Sequence, residues 1–444
     1  MANRAVFGYK NLYPGKTEFA EGMRELNKVF AYSRRATFSG TPGENFNALK
    51  ISPFLLTNPN PIPNCRMVVC PTMQDSENRK SHLASMMQKM EKRENVSNEV
   101  CMGSMVGPGL LAQILVSKYE YHQPLYRQEK MFRQQFGVDL SRKTMGGWVE
   151  QAAELLKPVY RTIREDLLRG NYLQADETPI RYLDPDVKGK SRQGYLWVYS
   201  RPGGDVIFEW RVSRSREGPE EFLKNFRGKL QTDGYSAYES LAKERGDLTL
   251  IGCWAHARRG FHEALAETKL AAWFVYQIGL LYAVEKQLRE QKAGPALRQA
   301  MRVWQSQPVL KRLHRAMELV RRKTLPQGLL GQAIDYTLKR WDALSRFVAD
   351  GSLEIDNNLI ENSIRPSALG KKNFLFIGHP EAGERSAVIY TLLGSCRRHG
   401  VNPYDYLKDL FTRLPAAKIT QIREFTPAVW ARAKAKEKAV TQAA

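Results

Sequence analysis

The chain has 444 residues, and its 68 Lys+Arg against 46 Asp+Glu leave a formal charge of +22. That length suits several domains with cores of their own, and 43% hydrophobic with 26% charged residues excludes wholesale disorder. The charge calls for a polyanionic partner, and nucleic acid leads because neither a basic amphipathic helix nor a lipidation signal points to a membrane.

The five cysteines (Cys65, Cys70, Cys101, Cys253, Cys396) are odd in number and scattered, which fits a reducing cytoplasm better than a secreted scaffold. The N-terminus lacks the apolar core of a signal peptide. The longest apolar run, Leu270 to Val284, is 15 residues long with Gln277 inside it, short for a membrane span and suited to a buried helix.

Residues 1–105 hold nine of the 13 methionines and prolines between short apolar pieces, and predict one helix near His82 to Arg93 in a partly disordered segment. From Gly107 a helical region begins, covering 106–170, with Leu110, Leu111, Ile114 and Leu115 at helical spacing. Leu125 to Phe136, a turn at Gly137 to Leu140, and Ser141 through Trp148 read as a helix-turn-helix, which suits either DNA reading or a plain helical hairpin. A further helix over Val149 to Leu168 follows.

From Tyr172 the period changes to two. Strands are predicted at Tyr172 to Asp176, Tyr195 to Tyr199, Val206 to Val212, Lys229 to Asp233 and Leu248 to Cys253, with helices at Glu217 to Phe226 and Tyr238 to Arg245. This mixed α/β order, with a hairpin around Arg201 to Gly204, occupies 171–260. A helical insertion over 261–350 contains a stretch, 295–346, with 11 basic and three acidic residues, a pattern that suits phosphate tracking or a solvated face. Residues 351–415 return to the sheet domain, and 416–444 form a tail.

Two strands end alike, Leu173-Gln174-Ala175-Asp176 and Leu230-Gln231-Thr232-Asp233, each before a breaker, Pro179 or Gly234. Ligand crevices in open α/β sheets lie at the carboxyl ends of strands, so neighbouring strands would bring the two carboxylates together. Mutual repulsion of two such groups calls for a hard cation such as Mg²⁺. A third acid, Glu361, lies on a predicted helix capped near Asp356 or Asn357 and stopped at Pro366, sharing a face with Asn358, Asn362 and Arg365. A surface ion pair with Arg365 is its plain alternative. Strand alternation turns Glu177 away from Asp176. This order of acids on a basic chain resembles the ribonuclease-H-like fold of nucleases and transposases, here a mixed-sheet catalytic core interrupted by a helical insertion and preceded by a helical N-terminal region.

Seven motifs in order are similar to those of the insertion-sequence-66 family of transposases. They are Gly107-Pro108-Gly109-Leu110-Leu111, Pro124-Leu125-Tyr126-Arg127-Gln128, Asp176-Glu177-Thr178-Pro179, Asp233-Gly234-Tyr235, Cys253-Trp254-Ala255-His256-Ala257-Arg258-Arg259, Asn357-Asn358 ahead of Glu361 and Ile364-Arg365-Pro366, and Gly370-Lys371-Lys372-Asn373. The resemblance implies a DNA transposase whose acidic triad is Asp176, Asp233 and Glu361, holding Mg²⁺ with Mn²⁺ as a substitute. It also implies DNA element ends and target as partners, a homo-oligomer on DNA, small accessory proteins of the same element, and a cytoplasmic, nucleoid-associated location. His256, Arg258, Arg259, Arg365, Lys371, Lys372 and Asn373 are the candidate DNA contacts, the last four on a basic loop after the catalytic helix.

Cys253 and His256 lack a second pair for zinc, and Cys65, Cys70, His82 and Cys101 are too irregularly spaced for it. Residues 1–105 match neither the coiled helix nor the cysteine-containing DNA-binding segment that the resemblance leads one to expect, so the chain reads as a truncated or recombined copy with impaired targeting. The rival functions are a catalytically silent DNA-binding protein and a structure-selective nuclease on the same fold.

Overall fold

The structure, a computed structural model, describes residues 106–186 and 190–443. The helix expected near His82 and the Cys65, Cys70, His82 and Cys101 set lie outside the described residues.

Three helices open the described chain: α1 (Pro108–Tyr119), α2 (Leu125–Phe136) and α3 (Arg142–Leu168). Gly137 ends α2 in the left-handed region at φ 68°, and the amides of 137 and 138 close on the carbonyls of Arg133 and Phe132. Ser141 caps α3 by accepting from the Thr144 amide at 3.1 Å. The predicted break near Trp148 is absent, and α3 runs unbroken for 27 residues. One apolar stripe, from Met145 and Val149 to Ile163 and Leu167, continues through it. Pro158 lies inside it, and the carbonyl that this proline leaves without a donor belongs to the exposed residue Glu154.

The sheet follows as β1 (Tyr172–Leu183), β2 (Ser191–Ser200), β3 (Val206–Arg211), α4 (Glu217–Leu223), β4 (Gly228–Gln231), α5 (Ser236–Arg245) and β5 (Leu248–Ile251). Its order is β3-β2-β1-β4-β5, with β2 antiparallel to both neighbours and β1, β4 and β5 mutually parallel. β1 does not stop at Asp176 as expected. It continues through Pro179 to Leu183, because Pro179 falls where no strand pairs on β1's far edge.

The helical segment comprises α6 (Trp254–Glu263), α7 (Leu270–Glu290), α8 (Pro295–Met301), a π-helical turn (Arg302–Ser306), α9 (Gln307–Arg321), α10 (Leu329–Lys339) and α11 (Trp341–Ser345). It has its own core, built on Phe261, Phe274, Ile278, Leu313 and Ile334 and closed against the sheet by Tyr172 and Ile251. The apolar run from Leu270 becomes α7, with Gln277 buried too, and among the described residues no helix is long and apolar enough to cross a membrane.

The chain returns through α12 (Asn358–Phe374), β6 (Phe376–Ile377), α13 (Pro380–Arg398) and α14 (Pro403–Arg413) and ends in α15 (Pro427–Ala443). β6 pairs parallel with β1 at Arg181 and Tyr182, beyond the stretch that β4 covers. The expected stop at Pro366 is also absent, since the helix carries it internally. The carbonyl it orphans is that of Asn362, an exposed position where water can serve. Residues near the C-terminus are no loose tail: Phe425 and Trp430 join the core that holds the sheet, and the Trp430 indole donates to Asp409 at 2.8 Å.

Candidate active site

The crevice begins with two buried glutamines. Gln174 on β1 and Gln231 on β4 are register partners on parallel strands, and Gln174 Nε2 donates to Gln231 Oε1 at 2.9 Å. Each lies two residues before an aspartate, so Asp176 and Asp233 leave adjacent strands at equivalent heights and, by alternation, on the glutamines' side of β1. The same glutamines hold the approach to the third acid. Gln174 donates to the Asp356 carbonyl at 3.0 Å, and Gln231 donates to the Glu354 carbonyl at 2.9 Å. Two residues on, α12 starts, with Glu361 in its first turn.

The turn at Asp233 is clamped from the helical segment. Tyr336 Oη donates to the Asp233 carbonyl at 2.6 Å, and Arg340 donates to the Gly234 carbonyl at 2.9 Å while pairing with Glu239 at 2.7 Å. Gly234 adopts φ 92°, which strains any side chain, and a Cβ there would stand 2.3 Å from Arg340 Nε, so it would also displace that arginine. Asp233 Oδ1 accepts from the Tyr235 amide at 3.0 Å, and Asp176 Oδ1 accepts from the Glu177 amide at 2.8 Å.

Burial pushes the Asp176 carboxyl well above its usual range, with Glu177, Asp233 and Glu361 adding repulsion. Burial raises Glu361 as well, opposed by Arg259 and assisted by Asp356 and Asp233. Glu361 makes no ion pair with Arg365 among the described residues. Its Oε1 lies 3.9 Å from His256 Nε2 and is buried without a hydrogen-bond partner. Burial, with Arg259 beside it, lowers His256 to about 4, so the imidazole is neutral at pH 7. Glu177 faces the other side of β1, where it binds Arg214, whose guanidinium in turn stacks 4.1 Å from the Tyr235 ring.

A group of carboxylates in which Asp176 and Glu361 are raised by burial and by neighbouring negative charge, one with an orphaned buried oxygen, fits a hard cation chemically. Among the described residues, however, no three His, Cys, Asp or Glu side chains form a ready-made cage for one ion. Cys253 is buried and donates to Asn357 Oδ1 at 2.9 Å, a structural role at the start of α6.

The family model described as Transposase IS66 family matches residues 103–385, and that of the IS66 C-terminal element matches 391–428. The chain belongs to the IS66 transposase family. It is 35% identical over 345 residues to uncharacterized protein y4jD of Sinorhizobium fredii (strain NBRC 101917 / NGR234), covering 74% of this chain and 67% of that protein. Uncharacterized protein y4qI of the same organism is 35% identical over 330 residues, 70% of this chain and 60% of its own length. The chain thus spans about two thirds of the length of the curated relatives it matches.

The basic residues of this IS66 chain divide into two sets. His256, Arg258 and Arg259 sit on the first turns of α6, all half-buried; His256 and Arg259 neighbour Glu361, whereas Arg258, lowered by burial, neighbours Tyr282. Arg365 and Lys372 are exposed. Lys371 and Asn373 face the protein: Lys371 Nζ donates to the Pro179 carbonyl at 2.9 Å, and Asn373 Oδ1 accepts from Arg127 at 3.3 Å. None of the four lies on a loop, since α12 carries them all. Much of the basic stretch 295–346 serves the fold. Arg302 is fully buried and pairs with the equally buried Glu285 at 2.6 Å, and it donates to the carbonyls of Phe347, Asp350 and Leu353. Arg298, Arg321, Arg340 and Arg346 likewise bind protein groups.

Sequence reasoning missed Gln174, Gln231, Tyr336 and Arg340. The repeated Gln-x-Asp at both strand ends was a legible signal for the first two, while nothing local marks the others.

Proposed function

We propose that this chain is a DNA transposase with a ribonuclease-H-like catalytic core, in which Asp176, Asp233 and Glu361 are the acids of a metal-dependent phosphodiester transfer. The observation that carries the reading is the pair of register-matched glutamines, which bring the two strand-end aspartates level and tie the Glu361 helix to the same place. The split of a mixed sheet by a helical segment, with acids before and after it, supports the same fold.

Asp176 with Asp233, and Asp176 or Asp233 with Glu361, would hold Mg²⁺ or Mn²⁺, each ion needing only one or two protein carboxylates beside water and phosphate oxygens. When bound, such ions supply charge neutralisation and a more acidic water at the scissile phosphate. The chain's own residues then position: the glutamine pair fixes the carboxylate spacing, Tyr336 and Arg340 hold the Asp233 turn, and neutral His256 packs beside Glu361 without adding charge. Arg365 and Lys372, exposed on the same helix as Glu361, supply cations for the DNA backbone. Partners on this reading are element ends and target DNA, with a second copy and accessory proteins of the element at synapsis, in the nucleoid-associated cytoplasm.

Labelled element ends incubated with the protein and Mg²⁺ test this. Joined products, lost in Asp233→Asn with DNA binding retained, are expected. Undiminished joining by that variant would refute the assignment, and cutting that never proceeds to joining would indicate a nuclease.

A further inference from the structure

A cavity of about 210 Å³ lies where α1, α3 and α13 meet β1 and β6. Its walls are apolar and aromatic, with Val149, Ile180, Phe374 and Ile377 among them, and it also admits Lys118 and Tyr390. The Lys118 ammonium sits 5.0 Å from the Phe374 ring centroid and 5.2 Å from that of Tyr119. Among the described residues it has neither a carboxylate nor a hydrogen-bond acceptor. The buried Tyr390 hydroxyl also lacks a partner. The neighbouring polar groups are already satisfied. Arg385 pairs with Glu150 and Glu381, and Ser386 bonds to Tyr119 and the Ala382 carbonyl. The site therefore offers one unused cation and one unused hydroxyl inside a mostly apolar space partly walled by aromatic rings, smaller than the roughly 300 Å³ at which drug-sized pockets begin. That space takes a single ring system with acceptor atoms on its edge.

Its place relative to the acids narrows the ligand. Asp176, Thr178 and Ile180 share one face of β1 by alternation, and Ile180 lines the cavity. Four residues at about 3.3 Å each put it roughly 13 Å from Asp176. At the 3.4 Å rise of a duplex strand that is on the order of four nucleotides, and fewer when the strand is extended. Lys372 lies two residues before the lining residue Phe374, and Arg127 lies two residues after the lining residue Leu125 and bonds to Asn373, so both are cations available to the backbone of such a strand. Between the lining residues Phe374 and Phe376, Leu375 is 66% exposed and held at φ 62°, a conformation that costs a branched side chain energy. An exposed apolar residue fixed in that way beside a ring-sized cavity has the form of a wedge that enters a base stack while the displaced base leaves it.

We infer that this cavity receives one unpaired base of the DNA strand lying in the active-site crevice, stacked on Phe374, with Lys118 and Tyr390 meeting its acceptor edge and Leu375 filling the gap it leaves. The inference rests on the transposase reading, because that reading supplies the strand.

The test uses the full chain and a duplex with a short single-stranded 3′ tail, with 2-aminopurine placed at one position at a time. Two variants keep the fold. Gly146→Leu fills the cavity from α3, where an added Cβ meets nothing within 4 Å and leucine is the better helix former. Leu375→Gly removes the wedge and relieves the positive φ. Expected is a fluorescence change at one position only, abolished by Gly146→Leu and reduced by Leu375→Gly, with affinity for the tailed duplex falling about tenfold in the filled variant. Retention of the duplex with no position-specific change, or a change that survives Gly146→Leu, overturns the base pocket and leaves the transposase reading standing. Failure of the native chain to hold the duplex even at low salt overturns both.

Discussion

Replacing Lys118 by Met isolates the cost of keeping an unpaired ammonium inside the protein. Burial lowers Lys118 from 10.5 to about 8. At pH 7 the amine is protonated in both folded and unfolded chains, so the folded state bears the whole difference, roughly 3 kcal/mol at 1.36 kcal/mol per unit. The sign follows from proton counts. Between pH 8 and 10.5 the unfolded chain binds the proton more tightly, so stability gains as pH rises across that window, and the penalty is fully present below it. Met keeps the unbranched stem and loses the contacts of the cation with the Tyr119 and Phe374 rings, about 0.5–1 kcal/mol each. Lys118→Met is therefore expected to stabilise the DNA-free protein by about 1–2 kcal/mol at pH 7 and to lose that advantage by pH 10. Urea unfolding of both proteins at the two pH values measures the double difference, in which other titrating groups cancel. A variant less stable by the same amount at both pH values would show that Lys118 packs as a hydrophobic stem and carries no charge penalty.

Arg302→Met should cost about 3–5 kcal/mol in urea unfolding because Glu285 is left buried and unpaired, while the double variant Arg302→Met with Glu285→Met should recover most of it. A single variant as stable as the native chain would refute the pairing. Gly234→Ala should cost about 1–3 kcal/mol and depress strand joining through the displaced Arg340, whereas Gly203→Ala, also at positive φ but with nothing within 4 Å, should leave joining unchanged. Lys372→Ala should lower the slope of log affinity for DNA against log salt by about one, and Lys371→Ala should instead reduce stability through the lost contact to the Pro179 carbonyl. Equal salt slopes for Lys372→Ala and the native chain would remove Lys372 from the DNA interface.

Alternation and helical spacing carried most of the element order, since the five strands from Tyr172 to Ile251 and the helices between them depend on local apolar pattern. Prolines misled at two places for one reason. Pro179 and Pro366 each remove a donor, but Pro179 stands where that donor was not needed and Pro366 where the orphaned carbonyl meets water. Whether a proline breaks an element is decided by its neighbours in space, which one-dimensional reading does not see. The short β6 was invisible for a similar cause, because two residues carry no periodicity and exist as a strand only through β1. The basic stretch 295–346 shows the same limit with charge: Arg302 looks like its neighbours in sequence, and only the folded chain sets it against Glu285.

The separation of the acids in sequence acquires a physical reason from these contacts. Between Asp233 and Glu361 lie 127 residues, which sequence alone presents as an interruption of the sheet domain. The interrupting helices nevertheless hold both of its ends. Tyr336 and Arg340 grip the backbone at Asp233 and Gly234, while Arg302 and Arg298 bind the 350–354 stretch that the glutamines then pass on to α12. Two carboxylates that repel one another do not stay near one another by their own chemistry, so the framework must supply the opposing force when no cation is bound. A buried ion network and two donors to the backbone do so from the helical core that closes on the sheet at Tyr172 and Ile251. The helical segment is thus a brace for two of the three acids, and its core stability and the geometry of the site are linked quantities.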